Sequence, residues 1–292
     1  TDMLDTHWFP GMTLNYARHM LRCSGDEPAL LAETELGRQR VFSRDELRAA
    51  VARCAAALRR DGVQAGDRVA GYLPNVPETV IAMLAAASLG AVWSSCSPDF
   101  GVQGVLDRFG QIAPTVLFAA DGYTYNGKPH NLLERVHALA AELPGLRRLV
   151  LVPFLDPAAA PVARGAMAAC TWDEYLGAAA PPPLTFAEVP FAHPLFIMYS
   201  SGTTGAPKCI VHGHGGTLLQ HLKELMLHTD VRAGDRVFYF TTCGWMMWNW
   251  LVSALGAGAA VVLYEGSPLH PAPETLWAMS ARLGLHVFGT SP

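Results

Sequence analysis

The residues best suited to chemistry in this sequence lie between Tyr199 and Lys208, where hydroxyl side chains, two glycines and a lysine follow one another closely. Gly202 and Gly205 let the backbone turn tightly and bring N–H groups close to an anion. The hydroxyl groups can donate to phosphate oxygens, and Lys208 adds a positive charge; a hydrogen bond to a charged group is worth roughly 1.5–3 kcal/mol. The stretch therefore predicts a loop that binds phosphate.

Two familiar phosphate loops do not account for this stretch. A Walker A loop places a glycine directly before its lysine, whereas two residues separate Gly205 from Lys208, and the stretch lacks the dinucleotide pattern G-x-G-x-x-G. A flexible Ser/Gly linker is the remaining alternative. The strand-like run before the loop and the apolar run after it, residues 209–211, favour a structured loop.

Three histidines, His212, His214 and His221, invite interpretation as metal ligands. Their spacing is a weak match to metal sites and no carboxylate joins them, so we expect helix-start and packing roles instead. No residue of this chain is predicted to bind a metal ion directly.

The elements around these residues alternate between strands of about five residues and helices of about ten over residues 68–152. Such alternation predicts βαβ units in an α/β fold with two mainly parallel sheets. An Ala- and Pro-rich stretch over residues 153–194 interrupts the pattern, which resumes at residue 195. We therefore expect a first α/β subdomain over residues 1–190 and the start of a second over residues 191–292.

Composition excludes several classes of protein. Apolar residues make up 51% of the 292 residues and charged residues only 16%, which excludes a disordered chain and fits strands that are buried on both faces. The net charge of −4 argues against a nucleic-acid partner. Residues 237–264 carry no charge, but their internal turns predict strand, helix and strand rather than a membrane span.

The six cysteines and the N-terminal residues indicate the cellular compartment. The cysteines are 31 to 74 residues apart and form no C-x-x-C motif, so we expect buried, reduced thiols in a cytoplasmic protein. The N-terminal residues are acidic and have no apolar core, which is unlike a signal peptide.

The stretch from Ser200 to Lys208 resembles the TSGxTGxPK signature of the adenylate-forming acyl-CoA synthetase superfamily, with Ser200 for the usual threonine and Cys209 for a frequent glycine. Residues 8–17 and the EGxP-like turn after Tyr264 resemble the short-chain branch of that superfamily. Three further segments resemble members of the branch that activate acetoacetate; they are residues 94–101, 208–212 and 244–250. Activation of acetate or propionate is the alternative within the branch.

The resemblance implies ligation of a short-chain carboxylate to coenzyme A through an acyl-adenylate, with ATP, Mg²⁺ and coenzyme A as cofactor and substrates. It implies that Lys208 is catalytic and that the ATP phosphates bind to Ser200, Ser201, Gly202, Thr203, Thr204, Gly205 and Lys208. It also implies that Trp245, Met246 and Met247 line the acyl pocket, although a core helix is the alternative, as we expect for Trp248 and Trp250.

The superfamily motifs that bind adenine and ribose, and the C-terminal catalytic lysine, do not occur in these 292 residues. The resemblance therefore implies an incomplete N-terminal domain, with a truncated second sheet, no C-terminal lid domain and no ligase activity by itself. A non-catalytic binding module of the same fold is the other alternative.

Overall fold

The computed structural model describes residues 6–200 and 205–290. In chain order, the strands of this part are β1 (Thr13–Leu14), β2 (Pro28–Thr34), β3 (Gln39–Ser43), β4 (Arg68–Tyr72), β5 (Val92–Cys96), β6 (Val116–Ala120), β7 (Gly122–Tyr125), β8 (Lys128–Asn131), β9 (Arg148–Val152), β10 (Ala168–Thr171), β11 (Val189–Pro190), β12 (Pro194–Ser200), β13 (Lys208–Gly213), β14 (Arg236–Tyr239), β15 (Ala260–Glu265) and β16 (Val287–Gly289).

The helices alternate with these strands as the sequence predicts. In chain order they are α1 (Tyr16–Met20), α2 (Arg44–Arg60), α3 (Pro77–Ser88), α4 (Val102–Ile112), α5 (Leu133–Glu142), α6 (Trp172–Leu176), α7 (His214–Lys223), α8 (Met246–Val252) and α9 (Thr275–Leu283). A π-helical turn, Glu224–His228, extends α7, and a 3₁₀ turn, Ser253–Ala257, extends α8.

The larger sheet has seven strands in the order β10-β9-β6-β4-β5-β12-β13. All neighbours are parallel except β12 and β13, which form an antiparallel hairpin at one edge. The second sheet has the order β16-β14-β15-β2-β3 and is parallel except for the pair β2–β3. The prediction of an α/β fold with two mainly parallel sheets is confirmed.

The two sheets interleave along the chain, which differs from the simple succession that the sequence suggested. Strands β12 and β13 follow residue 190 yet belong to the larger sheet, whereas β2 and β3 precede it yet belong to the second sheet. Strands therefore cross the boundary in both directions, and the division into subdomains at residues 190 and 191 stays a prediction.

Helix α3 is buried along its whole length, as expected for a helix that is apolar on all sides. The hydrophobic core around it includes Leu30 of β2, Val69 of β4 and Val261 of β15, so both sheets contribute to the same core. The carboxyl ends of strands from both sheets consequently lie near one another, and this is where open α/β sheets bind ligands.

Gly71 in β4 offers a test of this packing. A Cβ atom at Gly71 would lie 2.7 Å from ring carbons of Trp93 on the neighbouring strand β5, and the Trp93 side chain is fully buried. We expect Gly71→Ala to lower the free energy of unfolding by about 1–3 kcal/mol, measured by urea denaturation. Gly110→Ala is the control, because a Cβ atom in that part of α4 meets no atom within 4 Å; a comparable loss there would contradict the explanation.

Two further expectations can be compared with the structure. The uncharged residues 237–264 contain parts of β14 and β15 with α8 between them, and no helix in the described ranges is long and apolar enough to cross a bilayer. None of the six cysteines is paired. Cys54, Cys96 and Cys243 are buried as expected, whereas Cys23 and Cys170 are only partly buried. The expectation of burial is wrong for Cys209, which is exposed on the edge strand β13.

Candidate functional site

The predicted phosphate loop connects the two strands of the β12–β13 hairpin. Ser200 at the end of β12 pairs with Lys208 at the start of β13, so the two ends of the loop are held side by side. Gly205 has a φ of +143°, a backbone conformation that residues other than glycine rarely adopt. The remaining loop positions lie outside the described residues; they are Ser201, Gly202, Thr203 and Thr204.

Helix α4 supports the end of this loop that precedes Lys208. The Gln111 Nε2 atom donates to the carbonyl oxygen of Pro207 at 2.8 Å, and the Cys209 thiol lies 3.6 Å from Gln111 Oε1. The Lys208 side chain is exposed and forms no ion pair with any other described residue. A fixed backbone with a free ammonium group is an arrangement that can receive an anion.

The strand that enters the loop, β12, is held to β5 through Tyr199. The Tyr199 hydroxyl is hydrogen-bonded to the Ser94 hydroxyl of β5 at 3.0 Å. The Arg108 guanidinium of α4 lies over the Tyr199 ring at 5.7 Å and over the Phe100 ring at 4.4 Å. Burial raises the pKa of Tyr199, so its hydroxyl remains neutral and available for this hydrogen bond.

The predicted acyl-pocket residues lie at the start of α8. Met246 and Met247 contribute to a cavity of about 680 Å³ between α8, β13 and α7. Trp245 precedes the helix, is 62% exposed and is not among the lining residues of that cavity. The structure thus brings together two of the three predicted residues and places the third on the adjacent surface.

The two tryptophans within α8 differ from each other in burial. Trp248 is fully buried, and its Nε1 atom donates to Asn75 Oδ1 at 2.9 Å, which confirms the prediction of core packing. Trp250 is half-buried, packs edge-on against Tyr239 at 6.3 Å and also lines the large cavity. Trp250 therefore contributes to the core and to the cavity surface.

A second cavity, of about 400 Å³, was not identified from the sequence. It lies at the carboxyl ends of strands from both sheets and is lined by Asp99, Tyr123, His130 and Glu265 among others. These residues are far apart in the chain, so no local pattern shows that they meet. Two of the segments singled out in the sequence reach the cavity: the EGxP-like turn, which begins at Glu265, and residues 94–101, which contain Asp99.

Glu265 is the more buried of the two carboxyl groups that line this cavity, since Asp99 is exposed. Its carboxylate accepts a hydrogen bond from the backbone N–H of Asn75 at 2.6 Å. Burial raises the pKa of Glu265 to about 7, and the negative charges of Glu35 and Asp99 contribute in the same direction. A carboxyl group that titrates near neutral pH in a cavity is a recognised feature of functional sites.

The raised pKa of Glu265 predicts a pH-dependent loss of stability. Between its unfolded pKa near 4.5 and its folded pKa of about 7, the unfolded carboxyl loses its proton while the folded one keeps it, so stability falls as pH rises through this window. We expect Glu265→Gln to gain stability relative to the original protein on going from pH 5 to pH 8, by about 1–3 kcal/mol in urea denaturation.

The control for this measurement is Glu274→Gln, which removes one negative charge at an exposed position. A difference between Glu265→Gln and the original protein that stays constant from pH 5 to pH 8 would contradict the assigned protonation of Glu265.

His214 and His221 are packed into the core as predicted. The Nδ1 atom of His214 accepts a hydrogen bond from the backbone of Tyr16 at 3.1 Å, and His221 Nδ1 is hydrogen-bonded to Ser253 Oγ at 2.8 Å. Burial lowers the pKa of His214 to about 3 and that of His221 to about 4, so both rings are neutral at pH 7. Throughout the described residues, no group of three His, Cys, Asp or Glu side chains could hold a metal ion.

Comparison with known proteins defines the class. Residues 18–292 match the family model described as AMP-binding enzyme, and the chain therefore belongs to this family. It is 51% identical over 288 residues to the acetoacetyl-CoA synthetase of Mus musculus, a match that covers 97% of this chain and 43% of the relative. It is 42% identical over 280 residues to a malonamoyl-CoA synthetase of Penicillium aethiopicum, covering 92% of this chain and 38% of that relative.

The fold agrees with this classification. The solved structure of an acetoacetyl-CoA synthetase from Streptomyces lividans superposes with a TM-score of 0.92 and 51% identity, and the match covers 98% of this chain and 43% of that one. The chain thus spans less than half the length of these relatives.

Proposed function

We propose that the protein containing this chain ligates a short-chain 3-oxo acid, acetoacetate first of all, to coenzyme A through an acyl-adenylate, with release of pyrophosphate and AMP. The observation that carries the proposal is the Lys208 hairpin and the Met246–Met247 cavity in a member of the AMP-binding family. The printed names of the relatives support the acid class, because acetoacetyl and malonamoyl groups both carry a carbonyl at the third carbon.

In the proposed reaction, the carboxylate of the acid attacks the α-phosphate of ATP. A carboxylate is already ionised at pH 7, so this step needs no general base; it needs neutralisation of negative charge and in-line positioning. We assign phosphate binding to the loop and the exposed ammonium group of Lys208. We assign residues 200–205, including those outside the described ranges, to hydrogen bonds with phosphate oxygens.

The second half of the reaction uses coenzyme A, whose thiol displaces AMP from the acyl-adenylate. The mixed anhydride is reactive toward water, so the pocket must exclude water until the thiol arrives. We assign this task to Met246 and Met247, whose thioether side chains adapt their shape to a small apolar group, together with Trp245 on the adjacent surface.

Magnesium belongs to the proposal only as the ion that accompanies ATP. The described residues offer no group of three His, Cys, Asp or Glu side chains that could hold a metal ion, and Mg²⁺ usually binds through one or two carboxylates together with substrate phosphates.

The proposal is tested by exchange of labelled pyrophosphate into ATP, catalysed by the protein that contains this chain. Exchange that depends on acetoacetate is the expected result, with propionate and acetate as poorer substrates. Exchange with acetate or propionate but not acetoacetate would reassign the acid. An absence of exchange with every acid would favour a binding module without catalysis.

A further inference from the structure

A small cavity of about 10 Å³ lies beside the turn at residues 243–244, which directly precedes the residues assigned to the acyl pocket. It is enclosed by β5, β12, the turn at residues 243–244 and the side chain of Asn249 in α8. A space of this size holds one water-sized group. Gly244, next to Trp245 in the chain, lines it, so the cavity adjoins the residues proposed to hold the acid.

Two hydroxyl groups around this cavity already have partners. The Ser94 hydroxyl donates to the carbonyl oxygen of Ile197 at 2.8 Å. The Ser95 hydroxyl donates to the carbonyl oxygen of Cys243 at 2.6 Å and accepts from Trp93 Nε1 at 3.2 Å. These groups have no hydrogen left to offer to a ligand.

The amide group of Asn249 is different. The residue is only 4% exposed, its Nδ2 atom contacts only the Met198 sulfur at 3.4 Å, and its Oδ1 atom has no hydrogen-bond partner among the described residues. A buried amide that lacks partners costs about 1–3 kcal/mol, so the fold keeps an unsatisfied polar group beside the proposed acyl pocket. A ligand atom that paired with it would recover this energy.

The chemistry of the amide defines the ligand group. An Asn side chain has two N–H donors, and a thioether is a weak acceptor that occupies at most one of them. In the present orientation of the amide, Nδ2 has one N–H that the Met198 sulfur does not occupy. If the amide were flipped, both N–H groups would point to the place where Oδ1 now has no partner, so either orientation provides a free N–H. A carbonyl oxygen accepts such a hydrogen bond, whereas a methylene group does not.

We propose that Asn249 is a specificity-determining residue whose side-chain N–H binds the 3-oxo group of the acid. The inference rests on the proposed function and specifies how that site distinguishes a 3-oxo acid from a saturated acid of the same length. Asn249 lies in the first turn of α8, two residues after Met247, and is therefore close in the chain to the residues assigned to the acyl pocket. With acetoacetate bound, the 3-oxo oxygen would accept a hydrogen bond from the Asn249 amide. With butyrate bound, the amide would remain unpaired.

The experiment compares acetoacetate with butyrate, in which a methylene replaces the 3-oxo group, using the protein that contains this chain. The variant is Asn249→Leu, which keeps the approximate shape and removes both donors. We expect the ratio of kcat/KM for acetoacetate to that for butyrate, measured by pyrophosphate exchange, to fall about 10- to 100-fold. Most of the change is expected to come from acetoacetate.

Ser253→Ala is the matched control. The Ser253 hydroxyl donates to the backbone carbonyl of Asn249 at 3.0 Å, so this variant loosens the same turn of the helix without altering the amide. We expect it to leave the acetoacetate-to-butyrate ratio within about twofold. Asn249→Ala provides a second variant if circular dichroism shows that Asn249→Leu is not folded.

The outcomes separate the inference from the function on which it rests. A folded Asn249 variant with an unchanged ratio, or with equal losses for both acids, would overturn the role of Asn249. Equal use of both acids by the original protein would also overturn it while leaving ligation intact. Exchange with neither acid would overturn the proposed function itself.

Discussion

Replacing Lys208 by alanine is expected to slow carboxylate-dependent exchange of pyrophosphate into ATP about a hundredfold, since one charge-assisted contact to phosphate is worth a few kcal/mol. The structure supports this expectation, because the Lys208 backbone is fixed by its pairing with Ser200 while its side chain is exposed. Lys208→Arg retains the charge but not the compact ammonium geometry, so an intermediate rate is expected.

The control for this prediction is Lys223→Ala. Lys223 is partly exposed at the end of α7 and forms an ion pair with Glu224 at 3.0 Å, so its loss removes the same charge from another surface. We expect the exchange rate to change less than about twofold, in keeping with the small contribution of surface ion pairs. A Lys208→Ala protein as active as Lys223→Ala would remove Lys208 from its proposed role.

Trp248→Ala is expected to have the largest effect on stability, a loss of about 3–5 kcal/mol in the free energy of unfolding. The Trp248 side chain is fully buried and donates to Asn75 Oδ1. The backbone N–H of Asn75 in turn donates to Glu265. The substitution would therefore leave an empty space in the core. It would also leave Asn75 Oδ1 without its donor, beside the cavity that Glu265 lines.

Trp277→Ala is the matched control, because it removes the same side chain from an exposed position. Trp277 is 63% exposed and stacks on Phe288 at 4.7 Å. We expect its loss to cost less than about 1 kcal/mol. Urea denaturation measures the free energy of unfolding of both variants. A similar loss of free energy in the two would show that burial does not govern the contribution of these tryptophans to stability.

Several elements have the lengths that the sequence predicts. Helix α4 has eleven residues and strand β9 has five, in keeping with the alternation predicted over residues 68–152. In α4 a periodic pattern of apolar residues, and in β9 a continuous apolar run, ends just before a proline-containing turn, so local information suffices. A structured phosphate loop was also predicted, because a strand-like run precedes it and an apolar run follows it, but the antiparallel pairing of these two runs was not predicted.

The sheet partners could not be read in this way. The local pattern shows that a segment is a strand, but the pairing of β2 with β15 depends on contacts between residues far apart in the chain. The same limitation applies to the site. The cavity around Glu265 and the unpaired amide of Asn249 arise only when strand ends and helix starts from several segments meet.

The interleaving of the two sheets has a consequence for protein synthesis. Strand β2 ends at Thr34, but its parallel neighbour β15 begins only at Ala260. At about 5–20 residues per second, a ribosome needs roughly 10–45 s to make the intervening chain. For that time the β2–β3 hairpin has no partner on one side, and an unpaired strand edge is prone to aggregation. The nascent chain therefore passes through a period in which a chaperone that shields this edge would raise the yield of folded protein.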